Sequence, residues 1–592
     1  MLFEQCARIP GSIGGGERDE DPPVFLHSAP PNYSTNFNAS RINITFDEFL
    51  QLRDMSSQFY SSPPMLKRPE ILLYGKRVRI DLKEPLLEDI TYVFDFGTAI
   101  TDLNEGNPIE GFTYVFSTGG HLDSLTFTGR VLNAENLRPN AKDDRVATWV
   151  MLYDELCDSI VYKQPPAYIA RTDPHGFFTF SNIRPDTFLI FALRDMGANL
   201  IFDVPSERIA FSDTFIVLDP QHHHWNDPLS FFTSRNTPDS IKEKTPELLH
   251  TDIVLYQFEE EPTRQYRVSY GREEANMMNF VYSLSVDLDS LMIEVLEHEP
   301  TERWYEIEAS ANLDTINFWL TDTTLVSLRT IMVHLYSPRT DSLNNIVYES
   351  DTLRLSYEPP RQAARTRRER RAEEEQVQLQ PVEIMSVATS VRGGGTMELT
   401  ERMRLTTSQP IGDIDPTKII LEEEVDTLKR PVPFSFTRDS LNIRRAFIDW
   451  TLKEDTRYFL TIDSMAFTSV YGVHNDSIGF NFKTRDEAYY SSIEITFDTV
   501  PCPLIVQLLR GDREDIVRQV FLNEGNVAKL ELLRPDTYKI KIIYDRNGNE
   551  KWDTGNYLKR IQPERVEYFY EPEITTHSSI TTELQWTVGE IH

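Results

Sequence analysis

Two widely separated segments of the sequence carry the same pattern. Residues 184–203 read RPDTFLIFALRDMGANLIFD, and residues 534–553 read RPDTYKIKIIYDRNGNEKWD. In both, Arg-Pro-Asp-Thr precedes an apolar run of strand length, an Asp ends the run, and a second Asp follows eight positions later. This similarity predicts two copies of one β-rich domain in a single chain.

The residues that precede these two segments also resemble each other. VRIDLKEPLLEDITYVFDFGTAI at 78–100 and AFIDWTLKEDTRYFLTIDSMAF at 446–467 share Ile-Asp, then Glu-Asp, then a Tyr with alternating apolar residues. Such period-2 alternation is typical of half-buried strands. The sequence therefore predicts a duplicated cassette of two β domains, with one further β domain and a charged linker between the copies.

Strand-type alternation, interrupted by turn residues, dominates the chain beyond residue 22 and predicts an all-β fold of tandem sandwiches. The hydrophobic content of 40%, with 34 Phe and 25 Tyr, is that of a globular protein. No apolar run approaches the roughly 18 residues that a membrane-spanning helix needs, since FLIFAL at 188–193 has only the length of a strand.

Charge restricts the class of partner. The chain carries 60 Lys and Arg against 93 Asp and Glu, a net charge of −33. A nucleic-acid-binding protein needs a cationic surface, so we exclude nucleic acid as a partner. The run from Arg361 to Glu375 contains six Arg and four Glu without an apolar stripe, which is typical of a solvated linker.

The three cysteines predict no disulfide framework, and we expect Cys157 and Cys502 to be thiols in different domains. Cys6 precedes ARIPGSIGGGERDEDPP, a small-residue and then acidic stretch that is typical of a flexible tether. A cysteine at the head of a tether indicates a lipoprotein anchor, but MLFEQ before it lacks the charged and apolar regions of an export signal. From these residues alone, two interpretations of Cys6 stay open: a lipid-anchored cysteine and an ordinary cysteine.

Longer motifs resemble a known family. PPVFLHSAPPNYSTNFNASRINITFDEFLQL, together with LLEDITYVFDFGTAITDLNEGNPIEGFTYVFSTG, resembles the SbsA-type Ig-like domain of Bacteroidota envelope lipoproteins. GRVLNA, MLYDE and ARTDPHGFFTFSNIRPDTFLIFALRD resemble the carboxypeptidase-regulatory, transthyretin-like sandwich that follows that domain. LRPDTYKIKIIYDRNGNEKWDTGNYLKRIQPERVEYF is similar to the C-terminal module of the family, so the resemblance spans nearly the whole chain.

The resemblance and the turn residues together predict eight consecutive segments. These are a lipoprotein tether (1–22), an SbsA-type Ig-like domain (23–120), a transthyretin-like domain (121–219), a connector (220–250), a β-sandwich domain (251–358), a charged linker (359–382), a second Ig-like domain (383–486) and a C-terminal transthyretin-like domain (487–592).

The resemblance also implies a location and a function. Cys6, the SIGGG that follows it and Asp21-Pro22-Pro23 match the lipidated N-terminus of the family, so we expect a lipid anchor at Cys6 in the outer membrane. The first acidic residue after Cys6 is Glu17, and by analogy we expect the protein to face the periplasm rather than the cell surface. The expected function is a non-enzymatic scaffold or accessory subunit of an envelope complex. The outer-membrane protein assembly machinery is a candidate for that complex. The alternative is a glycan- or peptide-binding lipoprotein of a nutrient-uptake system.

The loop DRNGNEKWD at 545–553 is the candidate metal site. Asp545, Asn547, Asn549 and Asp553 place oxygen ligands at positions 1, 3, 5 and 9 of a calcium loop. Glu550 stands at position 6 instead of Gly, however, and a bidentate Glu is missing from position 12. We therefore favour a turn with no metal and retain a calcium site as the alternative. In this turn Asn547-Gly548 supplies the residues with positive φ, and Asp545 and Asp553 accept hydrogen bonds from backbone N–H groups.

The other candidate sites are weaker. DLNEGNP at 102–108 is predicted to be a turn for the same reasons, and the upstream copy of the calcium-like loop has Gly197 in place of Asn547. His222, His223 and His224 are adjacent, so their side chains alternate in direction on an extended chain and form a poor metal site. The sequence contains no G-x-S-x-G, H-E-x-x-H or P-loop motif, and we predict neither catalytic residues nor a cofactor.

Overall fold

The computed structural model describes residues 20–140, 146–157, 159–203, 206–218, 247–260, 264–341, 345–358 and 384–589. The described chain is almost entirely β, which confirms the predicted fold class. Six helical elements, all short, are present in these ranges: α1 (Met55–Gln58), α2 (Thr323–Ser327) and 3-10 turns at Ile160–Tyr162, Leu288–Ser290, Pro416–Lys418 and Glu487–Tyr489.

By the density of their contacts the residues form two compact units. Unit 1 is Met1–Glu261 with Ile543–Glu567, and unit 2 is Pro262–Ile542 with Tyr568–His592, in each case as far as these residues are described. The predicted C-terminal domain (487–592) is thus divided, because residues 543–567 belong to unit 1.

The first sandwich, module A1 (residues 20–118), has nine strands. They are β1 (Phe25–Ala29), β2 (Arg41–Phe46), β3 (Leu50–Leu52), β4 (Tyr60–Ser62), β5 (Glu70–Tyr74), β6 (Arg77–Asp81), β7 (Thr91–Asp95), β8 (Ile100–Asp102) and β9 (Thr113–Ser117). They pair in the orders β1-β2-β6-β5, β4-β7-β9 and β3-β8. Alternate side chains fill an aromatic core in which Phe116 lies 4.1 Å from Phe37 and 5.3 Å from Phe94, between ring centroids.

Module B1 (residues 123–260) follows. Its strands are β10 (Leu125–Asn133), β11 (Thr148–Tyr153), β12 (Tyr168–Arg171), β13 (Phe177–Ile183), β14 (Asp186–Arg194), β15 (Arg208–Phe211), β16 (Ile216–Leu218) and β17 (Glu247–Glu259). Their order is β12-β11-β14-β15-β17-β10-β13, with β16 on β14. The apolar run Phe188–Leu193 is buried throughout because β14 lies inside this sheet and packs on both faces.

One predicted domain boundary is wrong. We expected the third domain to begin at residue 251, but β17 pairs in parallel with β10 over Leu125–Asn133. Leu255 and Phe258 are buried in the core of module B1. Strand β17 therefore completes the sandwich of module B1 and does not begin the next domain.

Module C (residues 264–358) belongs to unit 2. Its strands are β18 (Arg267–Glu274), β19 (Met277–Tyr282), β20 (Met292–Val295), β21 (Tyr305–Ala309), β22 (Thr315–Leu320), β23 (Thr330–Thr340) and β24 (Ile346–Ser356). They form two sheets, β18-β19-β22-β21 and β20-β23-β24, around one core.

Module A2 (residues 384–486) repeats the topology of module A1. Its strands are β25 (Val387–Thr389), β26 (Thr396–Met397), β27 (Met403–Thr407), β28 (Ile411–Ile414), β29 (Ile419–Val425), β30 (Leu428–Pro431), β31 (Ser435–Arg438), β32 (Arg445–Asp449), β33 (Arg457–Ile462), β34 (Phe467–Ser469) and β35 (Ile478–Thr484). The orders β25-β27-β32-β31, β29-β33-β35 and β28-β34 match those of module A1, while β26 and β30 are additions.

Module B2 (residues 487–589) repeats module B1 strand by strand. Its strands are β36 (Ser491–Phe497), β37 (Leu504–Arg510), β38 (Asp515–Leu522), β39 (Val527–Leu533), β40 (Thr537–Tyr544), β41 (Val566–Tyr568), β42 (Ile574–Thr575) and β43 (Thr581–Trp586). The orders β38-β37-β40-β41, with β42 on β40, and β39-β36-β43 are those of module B1. Even the parallel pair is kept, since β36–β43 corresponds to β10–β17. The predicted duplication is thus confirmed by strand order.

Individual hydrogen bonds are duplicated as well. In module A1 the hydroxyl of Tyr92 accepts a hydrogen bond from the N–H of Leu87 at 2.9 Å. In module A2 the hydroxyl of Tyr458 accepts one from the N–H of Lys453 at 3.1 Å. These tyrosines are the ones that the two similar sequence segments place in register, so the sequence similarity reflects a shared local structure.

Candidate functional site

The two Asp-rich segments form matching loops at the ends of matching strands. Asp195 follows β14 directly, and Asp545 follows β40 directly. We call residues 195–207 carboxylate loop 1 and residues 545–564 carboxylate loop 2. Both lie within unit 1.

In carboxylate loop 2, Asp545 is 1% exposed and accepts three backbone hydrogen bonds. Its carboxylate oxygens accept from the N–H groups of Gly548 at 2.7 Å, Asn549 at 3.1 Å and Glu550 at 2.8 Å. A buried carboxylate needs such donors because burial without them is costly. This is the role that the turn interpretation predicts for Asp545.

Two details of the predicted turn are wrong. Positive φ occurs at Gly548 (70°) and Glu550 (63°), and Asn547 is not among the positive-φ residues. The carboxylate of Asp553 accepts from the side-chain amide of Asn549 at 3.0 Å and from that of Asn547, rather than from backbone N–H groups. The chain turns through alternate left-handed residues, so a two-residue hairpin turn does not form.

The sequence analysis missed Glu564, which completes this loop. Its carboxylate is 6% exposed and accepts from the N–H groups of Arg546 at 2.8 Å and Asp553 at 3.1 Å. Burial raises the pKa of Glu564 above its ordinary value, the two N–H groups oppose this, and the nearby carboxylates of Asp553 and Asp545 raise the pKa further. The repeated Glu-Arg before the next strand, at 207–208 and 564–565, is the signal that would have found it.

Carboxylate loop 1 has a corresponding set of hydrogen bonds, with two backbone donors to its first Asp instead of three. Asp195 accepts from the N–H groups of Asn199 at 3.3 Å and Leu200 at 2.8 Å. Glu207 is fully buried and accepts from the N–H groups of Met196 at 2.9 Å and Asp203 at 3.3 Å. Two buried carboxylates that bind backbone N–H groups therefore hold both loops, and the loop is a duplicated structural element.

The candidate calcium ligands come together in carboxylate loop 2, but their polar atoms bond to one another. Asp545 binds backbone N–H groups, and Asn547 and Asn549 donate to Asp553. In the part of the chain that the structure describes, no group of three or more His, Cys, Asp or Glu side chains is arranged to hold a metal ion. The arrangement explains the loop as a turn, and calcium binding stays a question for experiment.

We expect calcium to leave carboxylate loop 2 unchanged. A ligand at a hundredfold excess over its Kd would stabilise the folded state by about 2.7 kcal/mol, which hydrogen exchange of residues 545–564 would detect. Asp545→Ala should instead cost about 1–3 kcal/mol, with or without calcium, because three backbone donors lose their acceptor. Carboxylate loop 1, with Gly197 in place of Asn547, is the internal control. Calcium-dependent protection that vanishes in Asp545→Ala would contradict this prediction.

The third acidic loop, at 102–108, is also a turn as predicted. Asp102 is 1% exposed and accepts from the N–H groups of Glu105 at 2.6 Å, Gly106 at 2.9 Å and Asn107 at 2.7 Å. Burial acts to raise the pKa of Asp102, but these N–H groups outweigh it and hold the pKa below its ordinary value of 3.8.

This depressed pKa predicts how module A1 responds to acid. The ionised carboxylate stabilises the folded state above pH 3.8, and the contribution is lost as pH falls through the lower folded-state pKa. Asp102→Asn should lower the stability of module A1 by about 1–3 kcal/mol at pH 7, since one amide group cannot accept all three N–H groups. Hydrogen exchange of β8 at pH 7 and pH 3 should show a smaller pH effect in the variant than in the wild type. An equal pH effect in both proteins would contradict the assignment.

Two other predicted sites lie outside the described residues: Cys6 and the three histidines 222–224. No disulfide joins Cys157 to Cys502.

Carboxylate loop 2 contains an additional segment that the sequence analysis did not interpret. Ten residues separate Asp553 from Glu564, whereas three separate Asp203 from Glu207. We call residues 554–562 the insert. The ring of Tyr557, at the centre of the insert, is 1% exposed and lies 5.2 Å from Phe191 and 5.1 Å from Phe211, between centroids. The insert thus packs on the outer face of module B1, within unit 1.

Neighbouring modules within each unit are joined by specific contacts. Between modules A1 and B1, the N–H of Ile169 donates to the hydroxyl of Ser62 at 3.1 Å, and the rings of Tyr60 and Trp149 pack edge to face at 5.2 Å. Such contacts fix the geometry of a joint because they combine directional hydrogen bonds with apolar burial.

The joint between modules C and A2 contains a buried ion pair. Glu308 has a side chain 4% exposed and pairs with the guanidinium of Arg444 at 2.9 Å. The indole N–H of Trp319 donates to the same carboxylate at 2.7 Å, and Arg444 lies over the Trp319 ring at 5.2 Å. The N–H of Ala309 also donates to the carbonyl of Leu441 at 2.9 Å.

The joint between modules A2 and B2 is built on a second buried carboxylate. Glu398 accepts from the hydroxyl of Tyr490 at 2.8 Å and from Arg485 at 3.2 Å, and it pairs with Arg534 at 3.0 Å. Its side chain is 6% exposed. Each of these two joints in unit 2 thus places a buried carboxylate of one module against an arginine of the next.

One family model matches the chain, over residues 19–118. This range coincides with module A1, whose sandwich of nine strands is described above. The chain carries a bacterial Ig-like domain there. Module A2 repeats the strand order of this domain at residues 384–486. No curated protein sequence matches the chain.

Several solved structures are similar to the chain at low identity. An Escherichia coli alpha-2-macroglobulin fragment is 12% identical, with 32% of this chain and 72% of that chain covered and a TM-score of 0.15. The major pilin subunit of Bacillus cereus is 7% identical, with 78% and 99% covered and a TM-score of 0.13. The human desmocollin-1 ectodomain is 8% identical, with 91% and 95% covered and a TM-score of 0.14. Likenesses this weak carry no argument about function.

No helix in the described residues is long and apolar enough to cross a membrane.

Proposed function

We propose that this protein is a non-enzymatic modular scaffold, anchored to the bacterial outer membrane by lipid at Cys6. The observation that carries the proposal is the set of joints within the two units. Buried carboxylates, arginines and aromatic rings fix the contacts between successive sandwiches. A chain with such joints is suited to holding binding surfaces at set positions. Sandwich edges and loops then provide docking sites for partner proteins.

The proposed partners are envelope proteins, with the outer-membrane protein assembly machinery as one possible host, and the proposed location is the periplasmic side of that membrane. The support is the lipoprotein-like pattern around Cys6, the family resemblance and the net charge of −33. The transthyretin-like identity of modules B1 and B2 belongs to the same proposal and is supported by their motifs and their shared strand order.

The anchor is tested by Cys6→Ser, expressed with a functional export signal. We expect the variant to move from the membrane fraction to the soluble periplasmic fraction, because lipid at Cys6 is the proposed attachment of the protein to the membrane. The measurement is quantitative fractionation after a high-salt wash, with Cys157→Ser as the control because it changes an exposed thiol of module B1. Retention of Cys6→Ser at the wild-type level would refute lipid anchoring at this residue.

The second candidate function, glycan binding, is favoured by one feature of module C. The rings of Tyr336 and Tyr348 lie 5.6 Å apart at an angle of 21°, and Tyr348 is 39% exposed. Exposed aromatic rings are suited to stacking on sugars. Affinity purification from solubilised membranes distinguishes the two functions: the scaffold requires stoichiometric envelope proteins, whereas glycan binding requires retention of a polysaccharide that Tyr348→Ala abolishes.

A further inference from the structure

Modules A1 and A2 can be aligned residue by residue through bonds that both contain. Each has an ion pair between Arg and Asp at 2.6 Å, Arg41–Asp81 in module A1 and Arg402–Asp449 in module A2. Each also ends on a threonine whose hydroxyl donates to a carbonyl of the loop before β7 or β33, at 2.8 Å and 2.5 Å respectively. Continued into modules B1 and B2, the alignment pairs Phe37 with Glu398, Gly119 with Arg485, and Ser124 with Tyr490.

In the joint between modules A2 and B2 these positions carry the contacts. Glu398 accepts from the hydroxyl of Tyr490 at 2.8 Å and pairs with Arg534 of module B2 at 3.0 Å. The N–H of Leu399 donates to the same hydroxyl at 2.9 Å. The surface of module A2 beside Glu398 is therefore occupied by a tyrosine and an arginine of the module that follows it.

The corresponding surface of module A1 is not occupied in this way. At the three aligned positions the chain has an apolar ring, a glycine and a serine. The arginine of module B1 that corresponds to Arg534 is Arg184, and it pairs with Asp154 at 2.7 Å and with Asp186 at 3.2 Å, both in its own module. A cleft of about 840 Å³ lies on module A1 at this place, a volume in the range of ligand-binding sites.

We call this cleft, lined by residues 37–40, 82–89 and 118–119, the A1 cleft. Part of its lining is apolar and comes from Phe37, Leu82, Leu86 and Leu87. The side chain of Leu87 is 61% exposed. A ring placed in the A1 cleft would remove this apolar surface from water, which is favourable.

The unpaired charge of the A1 cleft is negative. Glu88 and Asp89 are exposed, and among the described residues neither carboxylate accepts a hydrogen bond or forms an ion pair. Lys83, a cation in the lining, pairs at 2.6 Å with Glu70, which lies outside the lining. A Cβ atom at Gly119 would overlap a carboxylate oxygen of Asp89, so the glycine leaves room for this carboxylate at the cleft.

We propose that the A1 cleft binds a segment of a partner protein that carries an arginine and a tyrosine. The inference rests on the proposed scaffold function and assigns one docking surface to it. The chemistry of the occupant follows from two observations: module A2 holds Tyr490 and Arg534 at the matching surface, and the A1 cleft offers unpaired carboxylates beside apolar side chains. A guanidinium binds a carboxylate through two parallel hydrogen bonds, and tyrosine and arginine are the usual anchors of protein interfaces.

The first test measures binding of a fluorescent peptide, Gly-Ser-Tyr-Arg-Ser-Gly, to the full-length chain by anisotropy. We expect saturable binding with a Kd below about 1 mM, and a loss of about tenfold or more in Glu88→Gln combined with Asp89→Asn. The matched control is Glu454→Gln combined with Asp455→Asn, the aligned pair of module A2, which should bind as the wild type does. Absence of saturable binding, or equal binding by the two double variants, would overturn the proposal.

Changes in the peptide separate the classes of occupant. Replacing its Arg with Gln, or its Tyr with Ala, should each weaken binding about tenfold. Unchanged binding of either altered peptide would contradict the arginine- and tyrosine-bearing occupant. A wild-type chain that dimerises in light scattering and becomes monomeric in Glu88→Gln combined with Asp89→Asn would identify a second copy as the occupant and would also overturn the proposal.

The second test locates the bound peptide. A peptide with benzoylphenylalanine in place of Tyr is irradiated with the full-length chain, and the labelled residues are identified by mass spectrometry. We expect labels in residues 82–89 and none in residues 450–456, the aligned loop of module A2. Equal labelling of the two loops would show that surface charge alone attracts the peptide and would refute the site. Neither test involves Cys6 or the joints, so failure here is distinguishable from failure of the scaffold function.

Discussion

Replacing Arg444 with alanine is expected to destabilise the joint between modules C and A2 by about 3–5 kcal/mol. The carboxylate of Glu308 has a side chain only 4% exposed, and without Arg444 it would remain charged and buried with the indole N–H of Trp319 as its described donor. An uncompensated buried charge costs far more than the lost ion pair would contribute at the surface. Native-state hydrogen exchange of β22 and β32 in the full-length chain measures the effect.

Two further variants test whether the buried charge of Glu308 causes this loss of stability. Glu308→Gln combined with Arg444→Ala should recover most of the loss, because a neutral amide oxygen still accepts from Trp319 and no buried charge remains. The control is Arg404, an exposed arginine of module A2. Arg404→Ala should change stability by less than about 0.5 kcal/mol. If Arg444→Ala costs no more than Arg404→Ala, the ion pair does not hold the joint.

The fold could be predicted from the sequence because its main determinants are local. Alternation of apolar residues specified strands, and the repeated segments at 78–100 and 446–467, and at 184–203 and 534–553, specified which strands correspond. Asp545 was predicted to accept backbone N–H groups because the loop lacks the Gly and the bidentate Glu of a calcium loop and was therefore interpreted as a turn.

The features that sequence reasoning missed depend on contacts between distant residues. Glu564 closes carboxylate loop 2 from the far side of the insert, and β17 reaches β10 across more than a hundred residues. Glu308 and Arg444 are single charged residues in a chain rich in them, so no local pattern marks them as partners. Only the three-dimensional packing selects such pairs from many equivalent candidates.

Glu398→Ala is expected to weaken the joint between modules A2 and B2 by about 2–3 kcal/mol, less than Arg444→Ala weakens its joint. Both substitutions remove one side of a charge cluster, but the groups left behind differ. Arg485 and Arg534 have side chains 33% and 47% exposed, so water can solvate their charges once Glu398 is gone. The lasting cost is the hydroxyl of Tyr490, a residue only 5% exposed, which loses its acceptor.

The control for this comparison is Glu401→Ala. Glu401 lies 3.6 Å from the same Arg534, but its side chain is 48% exposed, and a surface pair of this kind contributes about 0–1 kcal/mol. Hydrogen exchange of β36 and β39 should therefore rank the variants as Glu398→Ala, then Glu401→Ala, then wild type in order of decreasing exchange. Equal exchange in the two variants would show that burial of the carboxylate does not determine the strength of the joint. Arg444→Ala leaves the buried carboxylate of Glu308 without its partner, whereas Glu398→Ala leaves arginines that water can solvate. The joint between modules C and A2 is therefore the more sensitive to substitution.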